Sequence, residues 1–213
     1  MLIAIDTGVR VDEDCLMIEN VRCVSCERGS LVLGEPEVAV CDNASCGSRF
    51  PIVHGVLDTL VAPDPEVVRE IQGMAVESRI AAENWRDFKV TVHDEKLATL
   101  EERASFATDV GQYDRQTILN FEQALALLGN LQGKRVLEIG SDHDYYFLQR
   151  FREKGATCVA ANIHFMVEKE GKYSEWPEKV LADMNNLPFR DGAFDVVLLS
   201  ATSHHSPDLE RTV

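Results

Sequence analysis

The sequence predicts an α/β protein: a parallel, doubly wound sheet preceded by a small metal-binding β ribbon and a helical connector. Three observations carry that expectation. Five of the six cysteines lie within the first 46 residues, apolar residues recur at helical spacing through the middle, and four short apolar runs follow one another toward the C-terminus. The expected segments are 1–61 for the ribbon, 62–110 for the connector and 111–213 for the sheet domain.

The chain of 213 residues carries 21 Lys+Arg against 36 Asp+Glu, a formal net charge of −15. Such a balance speaks against nucleic acid or an anionic membrane as partner, because phosphate binding rests on clustered Lys and Arg. No apolar stretch approaches the ~20 residues of a membrane span. Met1–Cys15 lacks the basic start and apolar core of a secretory signal. A soluble, cytoplasmic protein is expected.

The ribbon is read from Cys23-x2-Cys26 and Cys41-x4-Cys46, with short β-like runs (Leu31–Leu33, Val38–Val40) between the pairs. A hairpin that brings two such turns together can surround Zn²⁺ with four thiolates. A segment this small buries little core, so the metal would supply folding free energy. Two disulfides or free buried thiols are the competing readings, and disulfides are disfavoured where no secretory signal is seen. His54 could replace one cysteine as ligand, although its strand-like surroundings favour a core or surface role, and Cys15 has no partner at ligand spacing.

The run Cys46-Gly-Ser-Arg-Phe-Pro-Ile-Val-His-Gly-Val-Leu-Asp-Thr-Leu60 resembles the short zinc-ribbon domain found as the activating subunit of RNA and protein methyltransferases and also fused ahead of methyltransferase domains. The resemblance covers about residues 20–61 and implies a structural Zn²⁺ on Cys23, Cys26, Cys41 and Cys46. Four thiolates fill the coordination shell and leave no open position for a reacting water.

The connector opens at Ala62-Pro63-Asp64-Pro65, with Asp64 as N-cap and Pro65 in the first helical turn. Helical spacing then runs through Val68, Ile71, Ala75, Ser78, Ala82 and Trp85 to about Phe88. A second helix is expected after Asp94, through Leu97, Leu100 and Ala104, and a third from about Asp114 to Leu128, ended by Gly129.

Four apolar runs follow: Arg135–Gly140, Thr157–Ile163, Lys179–Asp183 and Phe194–Ser200, with an amphipathic stretch at Tyr145–Gly155. Buried strands alternating with helices indicate a parallel sheet, whose ligands bind at the strands' carboxyl ends. Gly140, Asn162, Asp183 and Ser200 would then share one crevice.

Val136-Leu-Glu-Ile-Gly140 and Ala182-Asp-Met-Asn-Asn-Leu-Pro-Phe-Arg-Asp-Gly-Ala-Phe-Asp-Val-Val197 resemble class I S-adenosylmethionine-dependent methyltransferases of the UbiE-like, small-molecule kind. The resemblance implies a Rossmann-like sheet of which these would be the first four strands, S-adenosylmethionine as cofactor and a small-molecule methyl acceptor. Carried over by position, Glu138, Gly140 and Ser141 would line the methionine end of the cofactor. Asn162 would face the ribose, where the family has an acid. Asp183 would accept from the adenine amino group, with Met184 packed on the ring and Ser200 beside the methyl donor.

His204 or His205 could act as general base. They compete with a packing and capping role for the same pair. A second use of Asp142, His143 and Asp144 with His204 and His205 would be a divalent metal site.

The glycine turn of that family reads Gly140-Ser141-Asp142-His143-Asp144 here. With Asn162, these substitutions support an alternative reading, a non-catalytic pseudo-methyltransferase serving as a scaffold or partner-binding module. The chain ends at Val213, before the further strands that the resemblance implies. The fourth strand would then be an open apolar edge, covered by a protein partner or a second copy.

Overall fold

In the computed structural model the described residues are 2–6, 20–93, 112–141, 146–168, 178–200, 202–206 and 208–212. The expected second connector helix, Cys15 and the stretch Asp142–Tyr145 lie outside them.

The ribbon comprises β2 (Leu31–Glu35), β3 (Val38–Cys41), β4 (Arg49–Val53) and β5 (Val56–Asp58), paired antiparallel in sequence order. The β4–β5 turn has two residues, His54 at φ +50° and Gly55 at φ +77°. That left-handed pair matches the twist of the flanking strands, and it places His54 exposed at a hairpin tip, outside the cysteine cluster.

Next comes helix α1 (Pro65–Glu77), whose Glu66 N–H donates to the Asp64 carboxylate at 2.8 Å. The helical spacing runs on past Ser78, but the helix does not. Arg79 stands at φ +63°, and Ile80 N–H donates back to Ala75 O at 2.8 Å. This is a Schellman-type end with arginine where glycine is usual, which is why the break is silent in the sequence. The chain resumes as a 3-10 turn (Ala82–Asn84) and helix α2 (Trp85–Phe88), then forms β6 (Val90–His93).

Helix α3 (Gln112–Leu128) ends at Gly129 (φ +66°). Beyond it lie β7 (Arg135–Ile139), α4 (Tyr146–Glu153), β8 (Thr157–Asn162), β9 (Phe165–Glu168), β10 (Glu178–Leu181) and β11 (Val196–Ser200). A 3-10 turn at Ser203–His205 and helix α5 (Leu209–Thr212) follow.

The strands β11, β7, β8 and β10 are neighbours in that order and all parallel. The sheet as a whole is mixed, and it is larger than expected. On one side β5 pairs parallel with β10, Val56 opposite Lys179, so the ribbon hairpins continue the same sheet. On the other side β1 (Leu2–Asp6) pairs antiparallel with β11, Leu2 opposite Ser200. The open edge expected at the fourth strand is therefore taken by the chain's own N-terminus, which satisfies the backbone groups an edge would leave free. A separate two-stranded sheet joins β6 to β9 in parallel.

Burial alternates along the strands. Val136, Cys158, Ala160, Leu181, Val196 and Leu198 face one cluster, while Leu137, Ile139, Val159, Ala161, Val180 and Leu199 face another. Every buried apolar side chain of α1 to α4 falls in the first cluster: Ile71, Ala75, Trp85, Phe88, Phe121, Ala124, Leu128, Phe147, Leu148 and Phe151. Opposite them sit ribbon residues, Val21, Cys23, Leu31, Ala39, Cys41 and Phe50, with Phe194. Among the described residues, then, helices cover one face and the ribbon covers the other, where the doubly wound expectation has helices on both.

The ribbon is also clamped by polar contacts. Arg22 N–H donates to Pro188 O at 2.7 Å, its guanidinium reaches Leu187 O at 3.2 Å, and Arg190 N–H donates to Asn20 O at 3.1 Å. A buried pair of Lys89 with Asp58 ties α2 to β5, and Lys89 also donates to Leu60 O at 3.3 Å.

Candidate functional site

Two sites emerge. In the ribbon, Cys23, Cys26, Cys41 and Cys46 place their sulfurs within 4.8 Å of one another. The short separations cross between the pairs: Cys23 to Cys46 and Cys26 to Cys41, both 3.7 Å. A disulfide needs ~2.05 Å, whereas a tetrahedral thiolate site with metal–sulfur bonds of ~2.3 Å has edges of about 3.8 Å. The four thiols therefore fit a tetrahedral metal ion and do not fit disulfides.

The surroundings of these sulfurs differ. Backbone N–H groups of Arg28 and Gly29 hold the Cys26 thiol down at about 6. The Ser48 hydroxyl, 3.2 Å from the sulfur, and the Ser48 N–H lower that of Cys46. Burial foremost pushes Cys41 up to about 12. Hydrogen bonds that favour thiolate at two of the four positions predispose the cluster to a cation.

The second site is a cleft of about 750 Å³ at the carboxyl ends of β7, β8 and β10. Strand order reverses at β7, which has β8 and β10 to one side and β11 to the other, the usual place for a ligand crevice in such sheets. Gly140 ends β7 at φ +74°, and a Cβ on it would collide with the side chain of Thr202. Glycine is required there by both the backbone angle and that close approach.

Of the expected cofactor residues, Gly140, Asn162, Asp183 and Met184 line this cleft, and Glu138, Ser141 and Ser200 do not. Glu138 is buried and accepts from Ser141 Oγ at 3.2 Å, so these two residues brace the turn after β7 from within. Ser200 accepts from the Thr202 hydroxyl at 3.3 Å, and it is Thr202 that reaches the cleft.

Asn162 has both ends of its amide occupied. Its Nδ2 donates to Ser141 O at 2.8 Å, and its Oδ1 accepts from Ile163 N–H at 2.8 Å. An acid could make only the second bond, so the amide acts as a strut between the turns after β7 and β8. Asp183 accepts from Asn185 N–H at 2.8 Å. Asn185 in turn donates to Ser206 Oγ at 2.9 Å and Thr212 Oγ1 at 2.8 Å, which holds the last helix against the loop after β10.

His205 borders the cleft, with Nδ1 3.0 Å from Glu70 Oε1 on α1. The His204 ring lies 4.0 Å from that of His205 but outside the cleft lining. The last helix is capped by Asp208, whose Oδ1 accepts from Arg211 N–H at 3.3 Å, and not by either histidine. Asp195 of the long signature lies at the other end of the strands, where it accepts from Arg135 N–H at 2.7 Å. The metal alternative built on Asp142, His143 and Asp144 falls outside the described residues.

Several lining residues were not legible as site residues. Val24, Ser25 and Glu27 come from the first cysteine turn, Thr59 and Leu60 follow β5, and Asp64, Glu66 and Glu70 come from the start of α1. The i, i+4 spacing of Glu66 and Glu70, which puts them on one helix face, is the one signal that the sequence offered. Glu27, Asp64, Glu66, Glu70, Asp183 and Asp208 set an acidic character, against which Arg211 is the one Lys or Arg among the described lining residues. Among the described residues no helix is long and apolar enough to cross a membrane.

No curated protein matches the chain. Residues 137–213, from the middle of β7 onward, match the family described as "Methyltransferase domain", and the match supports a class I S-adenosylmethionine-dependent methyltransferase domain in this part of the chain.

Proposed function

We propose that the protein is an S-adenosylmethionine-dependent methyltransferase acting on a small molecule, with a structural Zn²⁺ held by Cys23, Cys26, Cys41 and Cys46. The observation that carries this reading is the cleft itself. It lies where the order of the parallel strands reverses, the ends of β7, β8 and β10 that form its floor fall within residues 137–213, which match a methyltransferase family, and its volume of about 750 Å³ suits a small-molecule site of ~300–1,000 Å³.

The charge of the described lining suits the cofactor. Asp183 and Met184 would hold the adenine end, and Gly140 with the turn braced by Asn162 would leave room for the methionine end. The cofactor carries net positive charge, and the acidic lining favours a cation over a neutral ligand. When bound, the cofactor supplies an activated methyl group on sulfur. What this chain contributes is positioning: it aligns an acceptor with that methyl and excludes water. His205, whose Nδ1 lies 3.0 Å from Glu70 Oε1, would be the base that takes a proton from the acceptor.

Calorimetric titration of the metal-loaded chain with S-adenosylmethionine and S-adenosylhomocysteine tests the proposal. Saturable one-to-one binding is expected, with a preference for the cationic cofactor that grows as salt is lowered. Absence of binding by both ligands would overturn the enzyme reading and leave the non-catalytic one.

A further inference from the structure

We propose that the first cysteine turn is a wall of the ligand-binding cleft, so that metal occupancy of the ribbon and ligand binding in the cleft are thermodynamically linked. This inference rests on the cofactor reading above and adds to it a means of regulation.

Val24 and Ser25 lie between the two ligating cysteines Cys23 and Cys26, and Glu27 follows immediately. All three line the cleft that also holds Gly140 and Asp183. Glu27 N–H donates to Cys23 O at 2.8 Å with Glu27 at φ +57°, a tight closure that a metal on Cys23 and Cys26 would hold in place. A non-glycine residue in the left-handed region persists only where its surroundings over-determine it.

The turn is also joined to the loop that follows β10. Arg22, next to Cys23, bonds through its N–H to Pro188 O and through its guanidinium to Leu187 O. The isolated bridge Val21–Phe189 adds to this clamp. Leu187–Phe189 continue the loop that carries Asp183 and Met184, so the metal turn and the adenine side of the cleft are fastened to one stretch of backbone.

The energetic consequence follows from linkage. A metal that orders Val24–Glu27 raises the affinity of any ligand touching them, and the ligand raises metal affinity by the same factor. Sequence offers no hint of this, because four filled thiolate positions far upstream of the methyltransferase region look purely structural.

The test uses the full zinc-loaded chain and two readouts that do not depend on catalysis. Zinc affinity is measured by equilibrium competition with a chromophoric chelator, with and without saturating S-adenosylhomocysteine, and an apparent affinity at least three-fold tighter is expected with it. In parallel, Ser25→Trp keeps all four cysteines and adds a bulky ring at the wall. It should hold zinc as the parent does and bind S-adenosylhomocysteine at least five-fold more weakly. The Ser25→Trp titration is made on folded, metal-loaded protein, so an unstable metal-free form does not confuse it. If the parent binds S-adenosylhomocysteine but either readout is unchanged, the linkage is refuted and the cofactor reading stands. If the parent does not bind it, both fall.

Discussion

Replacing Asn162 by aspartate should weaken this protein, although aspartate is closer to what the methyltransferase resemblance calls for at that position. The amide bridges two turns, donating to Ser141 O at 2.8 Å and accepting from Ile163 N–H at 2.8 Å, and only this orientation of the amide satisfies both. Asn162→Asp keeps the acceptor and turns the donor into a second acceptor aimed at a carbonyl oxygen. The lost hydrogen bond is worth ~0.5–1.5 kcal/mol, and the carbonyl left without its donor adds a cost of similar size. A half-buried site moderates this, giving about 2 kcal/mol in all.

For a chain of this length ~1 kcal/mol shifts Tm by ~2–4 °C, so differential scanning calorimetry at pH 7.5 should show a fall of about 4–8 °C. The deficit should shrink toward pH 4, where the new carboxyl takes up a proton and can donate again. Binding of S-adenosylhomocysteine should weaken with it. An unchanged Tm together with tighter binding would show that position 162 faces the ribose rather than spanning the turns, and would refute the reasoning.

Gly140→Ala should cost ~2–4 kcal/mol, from the positive φ and from overlap with Thr202, and adding Thr202→Ala should recover part of it in a denaturation double-mutant cycle. Lys89→Met leaves Asp58 charged and buried, for which ~3–5 kcal/mol is expected; pairing it with Asp58→Asn, which can still accept from Leu60 N–H, should restore most of that in urea unfolding. Burial raises the carboxyl pKa of Glu178 in the folded state, and its Oε2 has no hydrogen-bond partner among the described residues. The folded form thus prefers the neutral acid, and the penalty is absent below the unfolded-state pKa and develops as pH rises through the folded one. Glu178→Gln should accordingly raise Tm at pH 8 and change it little at pH 4, and a gain of equal size at both would contradict this assignment.

The resemblance that points to a methyltransferase was carried by short local text, Val136–Gly140 and Ala182–Val197, and the four apolar runs became β7, β8, β10 and β11 close to their expected bounds. The cysteine cluster was equally legible, because ligand spacing on two turns is a local property. Local signals failed where a residue departed from the usual turn chemistry, as at Arg79, or where a short strand had no partner nearby in sequence, as for β6 and β9.

What the sequence determined by itself was elements whose stabilising interactions close within a few residues: the metal turns, the start of α1 and its Asp64 cap, most of α3, the buried strands and the glycine at the end of β7. Only the tertiary structure decided which backbone donors and acceptors met across the chain. It sent Leu2–Asp6 to the edge beside β11, ran the ribbon into the main sheet through Val56–Asp58, and gave the Asn162 amide its partners in the turns after β7 and β8. It also made the first cysteine turn part of the cleft. The reason is physical: strand edges and buried amides must find partners, and the identity of each partner is set by whichever group the rest of the fold leaves unpaired at that place.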